Sequence, residues 1–465
     1  MEEFCGFIDN MENIDGKFSY YFNSDNKRLI INRLEDDSKK TITYTFKNKK
    51  LDYLETRFSD GRNAIFFNNV VIYPSLNSLN TGIIIPSYYC VSKYYGFPIK
   101  DFYGLVFKSN FIDKLFHPTQ IVQYDSLNIE NCINSISRDG SKTIILKKFD
   151  EVDKSFNLKL NGENVTIMFN ITSPGTIKKD DVNLGEISSN FTIKFENSQN
   201  INKIKEIYLI IKKFFQFLCN FRDISFDEIK ILGQFQDDFK YQEIGRFYEL
   251  LDKYDNNYNY RLMCPVSYYF NKLPKLFKTI SEEKINFNYI HKNNEELYTV
   301  SPEQYIKCCG AFEYNYNNVF VKPKMGDLRK KVLKDFKEKF VDNKDVYNSK
   351  QRDFCKKAYK ILKRDDASVE NSYNNCINKY RGILKRYLQS LSGIYEIAKT
   401  PQKLGHQFAL RRNLDAHGEM GFFSNDEICA YMVAQAIINC LILEKSGYSS
   451  EEIEIIINQK FVEIK

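Results

Sequence analysis

The sequence predicts an α+β chain of two domains, with a mainly antiparallel β-sandwich or barrel-like domain first and an all-α domain second. Short runs rich in Ile, Val, Tyr, Phe and Thr fill the first half, and helical periodicity begins at Ser301. A length of 465 residues also exceeds one ordinary core. We therefore expect a β-rich domain over residues 1–297 and an all-α domain over residues 298–465.

Strand-like runs fill the chain from Gly16 to about Phe235, and one more run, FKYQEI, follows; Asn, Asp, Gly and Ser separate the runs. They are KFSYYFNS, KRLIINRL, KTITYTFKN, AIFFNNVVIY, FYGLVFKS, KTIILKKF, NLKLNGENVTIMFNIT, FTIKFEN, EIKILGQF and FKYQEI. The stretches FNSDNKR and LNGEN predict hairpin turns. One amphipathic helix, from Asn200 to Phe221, interrupts the strands and is expected to cap the sheet.

Capping signals mark several helices of the second half. Ser301 before Pro302 predicts a helix start, and Ser424 followed by Glu427 is a capping box. Gly447 is placed to end the helix that Ser424 begins. These signals predict an all-α domain whose apolar stripes form its core.

Composition narrows the class of protein. The start, MEEFCGFIDN, lacks a secretory signal, and no window approaches about 18 uninterrupted apolar residues, so we expect a cytoplasmic protein without a membrane span. The eleven cysteines form no C-x-x-C knuckle, which favours free thiols in cores over structural zinc. No cluster of His and carboxylate residues at short spacing is visible, so we expect no metal and no cofactor.

Positive charge is concentrated in one segment. Residues 321–364 contain 16 Lys or Arg against 6 Asp or Glu, within a chain of net charge +7. Such a stripe is the electrostatic footprint of nucleic-acid binding, and the alternative is a solvated helical face. Lysines recur there at helical spacing, namely Lys330, Lys331, Lys334 and Lys337. They could steer tRNA or other structured RNA, but phosphate contacts cannot select a sequence.

The stretch ALRRNLDAHGEMG contains one of only four histidines. We expect its helix to begin with Thr400 as N-cap and Pro401 as first residue. Arg412 would lie some 140° around a regular helix from His417, so both side chains can serve one site only if the backbone departs from a regular helix near the motif. Gly418 permits the left-handed conformation that would end it.

The residues from Arg412 to His417 resemble the R-x4-6-H motif of HEPN ribonucleases, including the variant with a polar residue after the arginine. A β-rich half before such a domain resembles the ApeA-like proteins of anti-phage abortive infection. The stretch CCGAFEYNYN resembles the first HEPN helix with its acidic residue, Glu313. The resemblance covers Ser301 to Gln459 by motif and pattern, and the N-terminal half by general organisation.

The resemblance implies a metal-independent endoribonuclease in which the RNA 2′-hydroxyl attacks the adjacent phosphate. His417 would accept the proton, and Arg412 would stabilise the phosphorane charge by bidentate contacts. Asn413 would orient the scissile group or hold the His417 tautomer, and Arg411 would contact the RNA backbone. Glu313 is either a hydrogen-bonding partner of the motif arginine or a surface carboxylate.

In the HEPN family two domains face each other and pool their motifs, which implies a homodimer and allows a higher oligomer. His406 shares a helix face with Asn413 and is either an additional site residue or structural. His117 and His291 have no partner pattern and are expected to be structural.

The N-terminal domain would sense a phage-derived trigger or restrain the toxic ribonuclease. Two alternatives to this hypothesis stay open. His417 could be a core or capping histidine, and the chain could be a non-catalytic RNA- or nucleotide-binding module with the β domain as its protein-interaction surface.

Overall fold

The computed structural model describes residues 3–8, 18–24, 27–34, 53–67, 73–75, 78–124, 144–146, 152–172, 177–178, 181–182, 187–235, 239–250, 263–282, 284–297, 299–320, 327–342, 347–363, 368–416, 418 and 421–462. The chain divides into two compact units. The β-rich unit comprises Met1–Gln216, Asp223–Tyr260 and Pro265–Ser267, and the helical unit comprises Phe217–Arg222, Arg261–Cys264 and Tyr268–Lys465. Residues 268–297, which the sequence analysis assigned to the first domain, therefore group with the helices.

Fourteen strands of the β-rich unit form one antiparallel sheet in the order β12-β13-β16-β9-β17-β18-β8-β5-β4-β1-β2-β3-β7-β6. Two further pairs, β10 with β11 and β14 with β15, form small separate ladders. The strands are β1 Glu3–Ile8, β2 Phe18–Asn23, β3 Arg28–Arg33, β4 Tyr53–Phe58, β5 Arg62–Phe67, β6 Tyr73–Ser75, β7 Ser78–Ile84, β8 Tyr88–Tyr95, β9 Asp101–Lys108, β10 Val122–Tyr124, β11 Ile144–Leu146, β12 Lys154–Leu160, β13 Glu163–Thr172, β14 Ile177–Lys178, β15 Asp181–Val182, β16 Ser188–Asn200, β17 Glu228–Gly233 and β18 Gln242–Glu249.

Both predicted hairpins are present. Strand β2 pairs with β3, and β12 pairs with β13 through Asn161 and Gly162, which adopt φ values of 51° and 87°. The fourteen strands share a single antiparallel sheet that curves strongly, because the Phe22 ring of β2 lies 5.2 Å from the Tyr89 ring of β8 although three strands separate β2 from β8 in the sheet order. A helix covers part of the apolar face of this sheet. The predicted strand KTITYTFKN lies outside the described residues.

That helix is α2, Ile204–Cys219, which follows the short helix α1, Asn110–Leu115. The Phe191 ring of β16 lies 6.0 Å from the Phe214 ring and 5.1 Å from the Phe215 ring of α2. The prediction that this helix covers the sheet is therefore confirmed. A second apolar cluster packs on strands β1 to β5, β7 and β8.

The opposite face of strands β13 and β16 contains several polar side chains. The Asn190 amide donates to the Thr172 hydroxyl at 2.7 Å, and the Thr192 hydroxyl donates to the Asn170 side-chain oxygen at 3.1 Å. A cleft of about 500 Å³ lies over these side chains. Gly104 of β9 pairs with β16 in this region, where a Cβ atom would lie 2.4 Å from the Ile193 carbonyl oxygen, so only glycine fits.

The helical unit contains nine α-helices in its described part. They are α3 Leu273–Ser281, α4 Pro302–Val319, α5 Asp327–Phe336, α6 Ser349–Lys363, α7 Val369–Lys379, α8 Lys385–Ser392, α9 Leu404–Ala416, α10 Asn425–Lys445 and α11 Ser450–Phe461. A π-helical turn, Lys337–Val341, follows α5, and 3₁₀ turns occur at Val266–Lys272, Glu295–Leu297, Glu396–Lys399 and Pro401–Lys403.

The predicted caps are confirmed. Ser301 forms a capping box with Gln304 at the start of α4, and Ser424 forms one with Glu427 at the start of α10. Gly447 follows the end of α10 with φ +82°. Local sequence signals therefore fix where these helices begin and end.

Helix α10 is the core helix of this unit. By length and composition it could cross a membrane, as no other helix in the described ranges could, but 83% of its apolar window is buried. It packs against α4, α9 and α11. This is the pattern of the central helix of a soluble protein. Ten cysteines lie in the described ranges of the whole chain, all of them free thiols and eight of them buried, as the sequence predicted.

Candidate functional site

The ends of helix α9 define the candidate site. Pro401 opens a 3₁₀ turn and α9 begins at Leu404, whereas the sequence placed the helix start at Thr400 and Pro401. The Thr400 hydroxyl donates to the carbonyl of Ile397, in the preceding turn, at 3.3 Å, so it does not cap α9.

At its other end, α9 stops at Ala416, and Gly418 adopts φ +76° with its N–H donating to the Asp415 carbonyl at 3.1 Å. The predicted left-handed glycine is confirmed. His417 itself lies outside the described residues.

Arg411 points into the helical unit. Its Nη2 lies 2.7 Å from Oδ1 of Asp415, and the two side chains are only 2% and 1% exposed. The same nitrogen donates to the Gly421 carbonyl at 3.2 Å, and the guanidinium carbon lies 4.0 Å from the centre of the Phe423 ring. An arginine buried in this way is not available to RNA, so the structure contradicts the predicted contact with the RNA backbone. The i,i+4 spacing of Arg411 and Asp415 places both on the buried face of α9.

This buried pair is held by charge more than by aligned hydrogen bonds. The Nη2 to Oδ1 distance identifies an ion pair, although neither carboxylate oxygen of Asp415 has a partner that meets hydrogen-bond geometry. The two groups still attract each other at 2.7 Å, because attraction between opposite charges has no strict angular requirement. Through Arg411, the pair also connects the end of α9 with the segment that contains Gly421 and Phe423.

Arg412 points outward. Its Nη2 lies 3.0 Å from Oε1 of Glu313 on α4, and both side chains are partly exposed. Its Nη1 donates to the side-chain oxygen of Asn413 at 3.4 Å. The structure therefore brings together three of the predicted site residues, at the end of the helix that leads into position 417.

His406 is directed elsewhere. Its Nδ1 lies 3.4 Å from Oε2 of Glu370, at the start of α7. Among the contacts of the described residues, none joins His406 to Arg412 or Asn413. The two ends of α9 thus face different neighbours, although His406 and Asn413 share a helix face in the sequence.

The other two histidines have surroundings typical of structural residues. His291 is buried, its Nε2 lies 3.0 Å from Nε2 of Gln435, and burial lowers its pKa. His117 is exposed and its Nδ1 lies 2.6 Å from the Thr119 hydroxyl.

The predicted RNA-binding lysines lie on a helical hairpin. Lys330, Lys331 and Lys334 are on α5, and Lys337 opens the π-helical turn. The side chains of Lys331, Lys334 and Lys337 are exposed, and that of Lys330 lies outside the described part. Lys334 and Lys337 have only loose ion pairs, at 3.9 Å to Glu338 and 3.7 Å to Asp342.

The aromatic contacts described for the basic segment lie within the segment itself. The Phe336 and Tyr359 rings are stacked with their centres 6.5 Å apart, and the Phe340 and Tyr347 rings lie 6.1 Å apart. Helices α5 and α6 and the π-helical turn thus pack on one another as a hairpin inserted between α4 and α7. The basic stripe is therefore a discrete structural element.

Apolar side chains are exposed on the elements that hold Arg412 and Glu313. Ile306 and Tyr314 are exposed on α4, Leu410 is exposed on α9, and Phe422 is fully exposed between α9 and α10. Gly310 lies on the same helix as Glu313, and a Cβ atom there would meet no neighbour. Exposed apolar side chains on adjacent elements are typical of a surface that binds another protein.

Within the ranges that the structure describes, no three His, Cys, Asp or Glu side chains are grouped as they would be around a metal ion. Comparison with protein-family models, curated proteins and solved structures finds no match for this chain. Sequence reasoning missed Asp415, Gly421 and Phe423 as the residues that hold the end of α9. The i,i+4 spacing of Arg411 and Asp415 is the one signal that could have found part of this arrangement.

Proposed function

We propose that this chain is a metal-independent endoribonuclease of the HEPN type that acts in the cytoplasm in anti-phage abortive infection. The observation that supports this best is the contrast between two adjacent arginines. Arg411 is buried and anchors the end of α9, whereas Arg412 is exposed beside Glu313 and Asn413. A fixed helix end with an exposed arginine suits the binding of a phosphate group.

The reaction would need no metal to balance its charges. The O2′–P bond forms as the P–O5′ bond breaks, which gives a 2′,3′-cyclic phosphate and a 5′-hydroxyl. His417 would take the 2′-hydroxyl proton, and a second acid would protonate the leaving 5′-oxygen. Arg412 has five N–H donors, so it could hold Glu313 with one edge and the phosphorane oxygens with another.

A homodimer would supply the second acid. Each protomer has one histidine in the motif, and the partner's histidine could protonate the leaving group. The exposed apolar residues Ile306, Tyr314, Leu410 and Phe422 would form the interface around the two arginines. Higher oligomers built on this dimer are compatible with the proposal.

The remaining elements would recruit RNA and control the enzyme. The exposed lysines of the α5–α6 hairpin would attract the phosphates of tRNA or other structured RNA. The β-rich unit would sense a phage-derived trigger or restrain the toxic activity, and the polar cleft over β13 and β16 is a surface that could receive such a cue.

Cleavage assays test this proposal. Total RNA and purified tRNA are incubated in EDTA with the wild type, His417→Ala and Arg412→Ala, with His117→Ala as the matched histidine control. We expect the wild type and the control to produce cyclic-phosphate or 3′-phosphate ends, and the two motif variants to lose cleavage. Equal cleavage by all four proteins would show that the motif is structural. If none cleaves, the assay is repeated with extract of infected cells as a source of trigger.

A second candidate function has one observation in its favour. Because Arg412 is paired with Glu313, the chain could be a non-catalytic module that binds RNA or a nucleotide, with the β-rich unit as its interaction surface. Under this alternative, His417→Ala would leave RNA binding unchanged, and no protein would cleave RNA even with infected-cell extract.

A further inference from the structure

A cavity of about 240 Å³ lies in the helical unit beside the turn that precedes α9. Its walls come from the end of α7, from α8 and from the two 3₁₀ turns at Glu396–Lys399 and Pro401–Lys403. Of the lining residues that the structure describes, three are cationic, namely Arg381, Lys385 and Lys399, and none is acidic. A concave site with one sign of charge concentrates ions of the opposite sign.

Two of the three cations have no partner within the described ranges. The side chains of Arg381 and Lys385 form no ion pair and no hydrogen bond with any residue in the described part of the chain. Lys399 lies 2.7 Å from Oε2 of Glu396, but both side chains are well exposed. Exposed ion pairs contribute little free energy, so an anion in the cavity could compete for Lys399.

The floor of the cavity is apolar. Ile377, Leu388 and Ala398 are buried beneath it, and Pro401 forms one wall. A small inorganic ion would leave this floor exposed to water. The combination of an apolar floor and a cationic rim therefore suits a ligand that has both a flat apolar part and an anionic group.

We propose that this cavity binds a phosphate-bearing ligand of mononucleotide size. The phosphate contacts Arg381 and Lys385, and the base lies on the apolar floor. The planar guanidinium of Arg381 provides two parallel donors for phosphate oxygens, and Lys385 adds a point charge. A free nucleotide and the 5′-terminal nucleotide of an RNA share this chemistry.

The cavity is distinct from the candidate cleavage site. Gln402 lines the cavity, and Arg412 lies ten residues farther along the chain, which is about 15 Å along a helix. The ligand would instead fix the turn from which α9 starts. Binding at this cavity does not require RNA cleavage, so the inference does not depend on the proposed function.

Calorimetric titration of the full-length chain tests the proposal. The ligands are AMP, GMP, CMP and UMP, with adenosine as the control that lacks a phosphate. We expect at least one mononucleotide to bind and adenosine not to bind. Arg381→Glu/Lys385→Glu should weaken binding at least tenfold. The matched control is Arg386→Glu, because Arg386 is exposed, adjacent to Lys385 on α8, and not part of the cavity lining.

A second pair of ligands separates the two sources of the nucleotide. The affinity of a short RNA with a 5′-phosphate and that of the same RNA with a 5′-hydroxyl are measured in EDTA, both for the wild type and for His417→Ala. If the cavity binds an RNA end, the 5′-phosphate increases the affinity, and Arg381→Glu/Lys385→Glu abolishes this increase. If it takes a free nucleotide, mononucleotides bind and the two RNAs bind equally.

The proposal is wrong if wild type binds neither a mononucleotide nor the 5′-phosphate preferentially. It is also wrong if the double variant binds as wild type does, or if Arg386→Glu weakens binding equally. The milder pair Arg381→Gln/Lys385→Gln, checked by thermal unfolding, separates loss of binding from loss of folding. Retained binding in His417→Ala with no cleavage would leave this inference intact even if the ribonuclease proposal fails.

Discussion

The buried and exposed faces of the last turns of α9 use the same residue type for different purposes. On the buried face, Arg411 is enclosed by Asp415, Gly421 and Phe423. On the exposed face, Arg412 meets Glu313 and remains open to solvent. Consecutive helix residues lie about 100° apart, so one step along the chain separates an internal anchor from a surface group. The two residues are of the same type, so the difference in their roles comes from their surroundings.

Loss of the buried arginine gives the largest expected effect of this comparison. Arg411→Met leaves the Asp415 carboxylate buried without its counter-ion, and we expect the free energy of unfolding to fall by about 3–5 kcal/mol. Arg412→Met should cost less than about 1 kcal/mol, because its ion pair is exposed. Urea denaturation measures both. Arg411→Met/Asp415→Leu should recover much of the loss, and a double variant no more stable than Arg411→Met would contradict this account.

Replacing the exposed arginine, Arg412, should reduce RNA cleavage strongly and stability only slightly. We expect Arg412→Ala to slow RNA cleavage about 10²–10³-fold, which corresponds to about 2.7–4 kcal/mol of transition-state stabilisation, with little change in Tm. Arg412→Lys should restore only part of the rate, because lysine lacks the planar fork. Single-turnover rates and thermal unfolding are measured on the same preparations. Parallel losses of rate and Tm would instead identify Arg412 as structural.

A second buried cation extends the comparison, since Lys460 has no carboxylate partner among the residues that the structure describes. Its Nζ donates to the Phe217 carbonyl at 2.9 Å and to the side-chain oxygen of Asn439 at 3.2 Å. Burial lowers the pKa of Lys460 to about 8. Between pH 8 and about 10.5 the unfolded chain binds more protons at this residue, so its contribution to stability rises with pH.

The difference in unfolding free energy between wild type and Lys460→Met should therefore rise by about 3 kcal/mol across this interval. Buried thiols such as Cys90, whose pKa burial raises, also affect stability above pH 9. Thiols that do not interact electrostatically with Lys460 contribute equally in both proteins and cancel in the difference. Arg411→Met should show no such slope, because arginine stays charged throughout. A flat difference curve for Lys460→Met would contradict the lowered pKa.

Lysines of the α5–α6 hairpin should affect the affinity for RNA without affecting the rate at which bound RNA is cleaved. Replacing Lys331, Lys334 and Lys337 with Gln should weaken RNA binding and reduce the slope of log K against log salt by about 0.7 for each phosphate that the protein no longer neutralises. The control replaces three exposed lysines of the β-rich unit, Lys100, Lys159 and Lys203. Equal slopes for the two triple variants would show that the hairpin does not contact RNA.

The smallest expected effect belongs to Glu313. Glu313→Gln keeps the shape and one hydrogen-bond acceptor beside Arg412, so stability should change by less than about 1 kcal/mol. Cleavage should change only severalfold if the carboxylate merely orients Arg412. A loss as large as that of Arg412→Ala would give Glu313 a direct part in the reaction.

Local signals predicted much of this fold. The capping boxes at Ser301 and Ser424 and the glycines at 418 and 447 act through neighbouring backbone groups, so the sequence alone identifies them. Strand β8 escaped prediction because most of its residues are buried on both faces, which removes the alternation that marks a strand. Helix α3 was missed because Pro274 and its short length obscure helical periodicity.

The candidate site was only partly predictable, because contacts between residues distant in the sequence determine part of it. The sequence places Arg411 and Arg412 side by side, and nothing local distinguishes them. Their separation depends on Phe423 and Gly421, which follow the helix, and on Glu313, which lies about 100 residues earlier in the chain. Such long-range packing is the part of a structure that a single sequence does not encode in any local pattern.

The α5–α6 hairpin is a part of the molecule that evolution could modify separately. Its rings stack on one another, and it enters and leaves the helical unit between α4 and α7. Changes in its length or lysine content would leave the packing around α9 and α10 in place. Substrate affinity could therefore diverge among descendants of this chain while the arrangement of the two arginines is inherited intact.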